Sequence, residues 1–195
     1  ISHSAICAEA EKFGSYFTEG FWDYRDYDLD NTRYVLAWGA DPLSSNRQVP
    51  HAISKWGDVM DQAVTAVIDP RLSATAAKAD EWLPVIPGED AALAVAIAHE
   101  ILIEGLWDRE FVGEFVDGEN LFKAGVEVDE AAFAETQTFG LVKWWNLELK
   151  DRTPEWAAEQ CGIPADQIRR VAIGFGKAAP YALSWVSPGT AMQAR

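Results

Sequence analysis

The chain has 195 residues, 49% of them hydrophobic, and sets 16 Lys and Arg against 31 Asp and Glu for a formal charge of −15. That length supports one good core, since a domain of roughly 150 residues hides about 70% of its unfolded surface, and the acidity argues against nucleic acid, whose binding is mostly phosphate neutralisation. No 18-residue apolar span is present, residues 1–20 lack the basic start and apolar core of a signal peptide, and Cys7 and Cys161 make neither a disulfide framework nor a zinc spacing.

The opening at Ile1 and the stop at Arg195, just after an apolar run, predict a piece cut from a longer protein. An acidic lead-in, WDYRDYDLDN, reads as a solvated surface able to steer a basic partner. Tyr34 to Trp38 is a continuous apolar run closed by Gly39, the pattern of a strand covered on both faces. In AISKWGDVMDQA the apolar residues Ile53, Trp56, Val59 and Met60 recur three or four apart, which predicts one helical face. Val64 to Ile68 reads as a second buried strand, SATAAKAD as a small-residue helix, and Trp82 to Val85 as a short third strand. Strand, helix, strand, helix, strand is the parallel α/β signature.

Glu89 and Asp90 then lead into AALAVAIAHEILIEG, a helix with acidic residues in its first turn and Gly105 just past its end. Residues 106–152 are expected to form a helical excursion: LWDREFVGEFV helical, DGENLFKAGVEVDE a surface segment, and AAFAETQTFGLVKWWNLELK helical again. Thr153-Pro154 and Ile163-Pro164 each introduce a further helix, with threonine as cap in the first case, and Tyr181 to Val186 closes with a strand. The expected fold is one α/β domain over 1–195, a mostly parallel, Rossmann-like sheet with helices on both faces. Within it, 1–30 is a lead-in, 31–105 the dinucleotide-binding core, 106–152 the excursion, and 153–195 the returning helices and strand.

Ligands of open parallel sheets lie beyond the carboxyl ends of the strands, where loops and helix N-termini converge. Three such ends carry polar residues: Gly39-Ala40-Asp41-Pro42, Asp69-Pro70-Arg71, and Pro87-Gly88-Glu89-Asp90. A carboxylate there can accept two hydrogen bonds from a ribose diol or the N–H edge of guanine, and an arginine can grip phosphate through a bidentate fork. Singly, each stretch is an ordinary turn or helix start; as three consecutive strand ends they point to a nucleotide. A nicotinamide-type dinucleotide site is disfavoured, because no G-x-G-x-x-G follows a strand and GFGKAAP sits at a helix end.

The stretches TRYVLAWGADPLSSN, AVIDPRLSATAAKADEWLPVIPGEDAALAVAIAHEILIEGLWDREFV and TPEWAAEQCGIPADQIRRVAIGFGKAAPYALSW resemble, in order and spacing, the molybdopterin oxidoreductases of the dimethyl sulfoxide reductase family. The resemblance implies a central α/β part that helps to bind molybdopterin guanine dinucleotide around molybdenum or tungsten. Gly39 and Asp41 then stand where the family's Gly-x-Asn-Pro approaches the dinucleotide, Asp41 replacing the usual asparagine and placing negative charge near a pyrophosphate. Asp69 and Arg71 match the pair that contacts the nucleotide half, and Gly88 and Asp90 the residues that receive the guanine. Trp185 resembles the tryptophan of a later glycine-containing loop, whose usual Trp-Gly start Val186-Ser187-Pro188-Gly189 does not reproduce.

Cys7 falls where family members place the residue that ligates the metal, a job suited to a soft thiolate; without the resemblance a cysteine in a small apolar segment is a buried hydrophobe. His3 is near enough in sequence to serve the same site as a proton donor. His51 is expected in a polar loop, His99 on a helix face beside Glu100, and Cys161 in packing. Ala8 stands where formate dehydrogenases of the family carry histidine, which turns the expected substrate towards a sulfur or arsenic oxyanion or polysulfide.

The whole protein is further expected to carry a [4Fe-4S] cluster upstream and a closing C-terminal domain, to use iron–sulfur electron-transfer and membrane-anchor subunits in anaerobic respiration, and to work in the prokaryotic periplasm or cytoplasm, the periplasm being favoured. The piece alone is expected to be inactive. The alternative is a non-catalytic α/β scaffold or a weak guanine-nucleotide-binding module.

Overall fold

A computed structural model describes residues 9–23, 26–45, 49–187 and 190. The chain divides into two compact units, Ile1–Asp90 with Tyr181–Arg195, and Ala91–Pro180.

The first unit holds helix α1 (Glu9–Glu19), strand β1 (Tyr34–Trp38), helix α2 (Val49–Gln62) and strands β2 (Val64–Ile68), β3 (Glu81–Leu83) and β6 (Ala182–Val186). The sheet runs β3-β2-β1-β6 and every pairing is parallel, with Trp38 level with Ile68 on one side and with Val186 on the other. All carboxyl ends therefore share one edge. Successive strands step from β1 to β2 to β3 in one direction, and β6 returns on the opposite side of β1, so the strand order reverses between β1 and β6. Such reversals open the crevices used by ligands.

All five residues of β1 are buried, as are the last four of β2. Both alternating faces of these strands are thus covered, as their unbroken apolar runs require. One face packs Val35, Ala37 and Val67 with Ala52, Trp56 and Val59 of α2 and with Trp185. The helix contributes a different stripe from the expected one: Ile53 and Met60 are exposed, and Ala52 joins Trp56 and Val59 in the core. Trp56 and Val59 thus face the sheet as expected, and Ala52 takes the remaining place in the contact.

The small-residue segment departs further from expectation, with only a 3-10 turn at Ala76–Lys78. Hydroxyls disturb the helical ladder there: Ser73 Oγ accepts from the Ala76 N–H at 3.2 Å, and the Thr75 hydroxyl donates to Asp41.

The second unit contains most of α3 (Asp90–Ile103), then α4 (Arg109–Val112), β4 (Gly113–Phe115), β5 (Phe133–Glu135), α5 (Leu141–Trp144) continued by a π-helical turn over Trp145–Leu149, α6 (Pro154–Cys161) and α7 (Ala165–Lys177). Helix α3 ends as anticipated: Gly105 has φ +68°, its N–H reaches Leu102 O, and Leu106 N–H reaches Ile101 O, a Schellman closure. Thr153 Oγ1 accepts from the Trp156 N–H at 3.2 Å with Pro154 in the first turn, again as anticipated. At the start of α7, Pro164 occupies the cap itself and makes no side-chain cap.

The helices expected over 106–116 and 131–150 are replaced in large part by an antiparallel pair, β4 with β5, and by short helical turns. Gly113 is the reason at the first strand. It has φ +121°, and a Cβ there would lie 2.1 Å from Ala134 O, so the partner backbone occupies the place of a side chain. The unit's core is aromatic, with Trp107, Phe115, Phe122, Phe133 and Trp145 in one cluster. Neighbouring rings meet edge-on or tilted, Phe115 with Phe133 at 4.9 Å and Phe122 with Trp145 at 4.9 Å between centroids.

Candidate functional site

The carboxyl edge of the parallel sheet gathers six of the eight residues singled out by sequence: Gly39 and Asp41 after β1, Asp69 and Arg71 after β2, and Gly88 and Asp90 after β3. Each is placed by its strand end. The Gly39 N–H donates to Ile68 O at 2.7 Å as the last rung of the β1–β2 ladder, and the φ of +56° at Gly39 then turns the chain out of the sheet. A Cβ at this position would lie 2.6 Å from the Thr190 Cγ2 methyl, so the bare glycine backbone admits the segment after β6.

Asp41 is buried and heavily bonded. One carboxylate oxygen accepts from Thr75 Oγ1 at 2.6 Å and from the Thr75 N–H at 3.2 Å, and the other accepts from the Ser44 hydroxyl. Its main-chain carbonyl accepts from the N–H groups of Ser44 and Ser45. Burial pushes the carboxyl up, but the Ser44 and Thr75 donors and the Arg71 charge together hold it below the ordinary aspartate value of 3.8. Asp41 is therefore an ionised, inward-turned anchor. Neither Thr75 nor Ser44 stood out in the sequence; a threonine among small residues signals a helix start as readily as a buried donor.

Asp69 closes a tight turn, its Oδ1 accepting from the Arg71 N–H at 2.8 Å, while its carbonyl accepts from Trp82 Nε1 at 2.8 Å. That turn lifts Arg71 off the sheet edge, where its side chain is 73% exposed and Nη2 lies 3.9 Å from Asp41 Oδ2. Gly88, at φ +95°, shapes the turn that delivers Asp90 to the start of α3. Burial pushes the Asp90 carboxyl above 3.8; the N–H groups of Asp90 and Gly88 oppose the shift, and the charge of Asp69 adds to it. The edge thus combines two mutually repelling buried carboxylates with one exposed guanidinium. A ligand bearing N–H donors and phosphate satisfies both.

Trp185 stands apart from this group. It lies on β6 level with Ala37, stacks on Tyr27 at 4.6 Å and meets Trp56 edge-on at 6.5 Å, so its ring belongs to the core. Cys7, His3, Pro188 and Gly189 lie outside the described residues. Among the described residues no group of three or more His, Cys, Asp or Glu could hold a metal ion, and no helix is long and apolar enough to cross a membrane.

In the second unit, His99 is buried, its Nδ1 2.7 Å from Leu149 O and its ring stacked on Trp145 at 5.1 Å. Glu100 is buried beside Arg169, which also pairs with Glu155. Cys161 is fully buried, and His51 is exposed on α2. His99, Glu100 and Cys161 thus belong to the interior of the second unit, whereas His51 lies on the first unit's helix α2.

Comparison with known proteins adds the family. Residues 3–187 match the family model for molybdopterin oxidoreductases. The molybdopterin-containing subunit ArrA of the arsenate respiratory reductase of Chrysiogenes arsenatis is 60% identical over 188 residues, 96% of this chain and 22% of that protein. ArrA of Shewanella sp. (strain ANA-3) is 53% identical over 195 residues, 100% of this chain and 23% of its own length. The present chain thus spans less than a quarter of these curated relatives. Among solved structures, acetylene hydratase from Pelobacter acetylenicus superposes with a TM-score of 0.73 at 23% identity, covering 99% of this chain and 23% of that one, which establishes a shared fold.

Proposed function

Because the chain belongs to the molybdopterin oxidoreductase family, we propose that it is a cofactor-binding part of a respiratory reductase whose substrate is arsenate. The observation that carries this reading is the 60% identity to an arsenate respiratory reductase subunit across 96% of the chain. Among the sulfur and arsenic substrates expected from sequence, it favours arsenate. The relatives are described as subunits, and partner subunits for electron delivery, an upstream [4Fe-4S] cluster and work in the periplasm belong to the same proposal for the whole protein.

The strand-end residues fit the nucleotide half of a molybdopterin guanine dinucleotide. Asp69 and Asp90 supply buried acceptors that suit the N–H edge of a guanine, and the raised Asp90 carboxyl is relieved by any donor brought against it. Arg71 supplies the exposed cation for a phosphate. Gly88 keeps the turn before Asp90 free of a side chain. Cys7 is proposed as the protein ligand of molybdenum or tungsten, a role for which a thiolate is chemically suited. The group, when bound, supplies two-electron redox chemistry at its metal, and these residues bind and orient its nucleotide end.

The test uses the full-length parent protein, purified anaerobically from a cofactor-competent host, with and without Cys7→Ser. Expected are molybdenum or tungsten, two guanines released per metal, arsenate reduction with an artificial electron donor, and an absorption-edge spectrum that loses one sulfur ligand in the variant. Protein free of both metal and guanine would leave an α/β scaffold as the better account. Metal-loaded protein that turns over thiosulfate but not arsenate would keep the cofactor and refute the substrate.

A further inference from the structure

An acidic side chain near a phosphate subsite ordinarily repels the ligand, so Asp41 calls for a physical reason to be there. Its carboxylate is committed inward, to the hydroxyl and N–H of Thr75 and to the Ser44 hydroxyl. Thr75, fully buried, also accepts from the Leu43 N–H at 3.3 Å, so a single threonine fastens the loop after β1 to the loop after β2. From this latched position Asp41 Oδ2 faces Arg71 Nη2 at 3.9 Å. That is within ion-pair range and beyond hydrogen-bond length. A largely solvated arginine otherwise spreads over many rotamers.

We propose that Asp41 is a positioning residue: latched by Thr75 and Ser44, it holds the Arg71 guanidinium at the carboxyl edge of the sheet, oriented for a phosphate of the bound dinucleotide. The inference rests on the nucleotide reading of that edge. At 3.9 Å the carboxylate orients the guanidinium by charge without taking up its N–H donors, which leaves the planar fork to the phosphate. Ordering the arginine beforehand lowers the entropy that binding must remove. Two effects of the Asp41 charge are therefore opposed, and they predict opposite signs. A merely repelling charge makes phosphate binding tighter when it is neutralised; a positioning charge makes it weaker.

The test titrates the full-length parent, produced in a host that cannot make the pterin cofactor, with guanosine diphosphate and with guanosine as probes. Asp41→Asn keeps the size of the side chain and an acceptor for Thr75. It is expected to weaken guanosine diphosphate binding about three- to fivefold, the scale of an exposed ion pair, and to leave guanosine binding unchanged. Arg71→Ala is expected to remove the preference for the diphosphate, and adding Asp41→Asn to it to have no further effect, since the two then lie on one pathway of coupling. Thr75→Val should imitate Asp41→Asn, and Thr75→Ser should restore parental behaviour by keeping the hydroxyl.

Diphosphate binding by Asp41→Asn as tight as the parent's or tighter overturns the positioning role and leaves the nucleotide reading standing. An equal loss for both probes overturns it as well, because a general weakening of the site does not act through phosphate. A parent that binds neither probe overturns the nucleotide reading and this inference together.

Discussion

The two units use polar side chains in opposite ways. In the aromatic unit they finish the backbone. Asn146 accepts from the Val128 N–H and donates to the Val128 carbonyl, at 2.9 and 2.8 Å. Glu135 accepts from the N–H groups of Gly140 and Leu141, and Asn120 donates to the carbonyls of Leu102 and Ile103. Each side chain meets a loop or helix end that would otherwise be short of partners. In the sheet unit the buried acids Asp41, Asp69 and Asp90 collect at one edge, with Asp69 and Asp90 acting on each other as like charges. Concentrated charge of that kind is costly for stability alone and is reasonable where a ligand completes it. The contrast separates polar groups that complete the backbone of their own unit from acids gathered at one sheet edge, where a ligand is proposed.

The sharpest way to break the contrast is to empty the aromatic core. Trp145→Ala removes a fully buried ring that stacks on His99 and packs on Phe122, and should cost about 3–5 kcal/mol. Urea unfolding measures the total, and hydrogen exchange should place the loss in residues 91–180 with the β1 and β2 amides still protected. Equal loss of protection in both units would refute their separate cores.

Gly113→Ala comes next, costing roughly 1–3 kcal/mol for its left-handed backbone alone, with the contact of Cβ against Ala134 O added to it. Its signature is loss of exchange protection in β4 and β5. A variant as stable as the parent would mean that the pair forms without this close approach.

The smallest effect is a titration that removes no contact. Burial depresses the His99 pKa below 6.5, and Arg169 adds to this; the Leu149 carbonyl, Asp151 and Glu155 oppose it. Below pH 6.5 the unfolded chain takes up a proton more readily than the folded one, so stability is full above 6.5 and falls as pH drops through the window beneath it. Glu100 works with the other sign: burial, aided by Glu104 and Glu155 and opposed by Arg169, raises its pKa above 4.5, so its contribution falls as pH rises through that value. Urea midpoints between pH 5 and 7.5 should therefore show the loss on acidification in the parent and a flatter profile in His99→Gln. An unchanged profile would assign the dependence to another group.

Much of the sheet unit was legible because its signals are local or simply repeated. Tyr34 to Trp38 and Val64 to Ile68 are continuous apolar runs, and runs of that kind need a partner on each side. Polar residues at three strand ends marked the edge where ligands gather, whatever the strand order. The middle third reads from sequence as helix over 106–116 and 131–150 around a surface segment. Its strands are three residues long and pair across about twenty intervening positions, too short to show a period of two. The strand that carries Trp185 was legible as an apolar run, but a cofactor role was attached to the residue by likeness, while its register beside Ala37 packs the ring with Trp56 and Tyr27.

By itself the sequence determined what depends on neighbours a few positions away: the Thr153-Pro154 helix start, the Gly105 helix stop, the buried strands and the polar ends that follow them. Capping, φ preference and alternation act within one or two turns, so they survive without knowledge of the rest. Only the tertiary structure decided that Asp41 turns inward to Thr75, 34 positions away, that Gly39 yields its side-chain space to Thr190, and that Gly113 lies against Ala134. Those pairings depend on which distant backbones approach within hydrogen-bond or van der Waals length. Packing of the whole core sets that distance, and no local propensity encodes it.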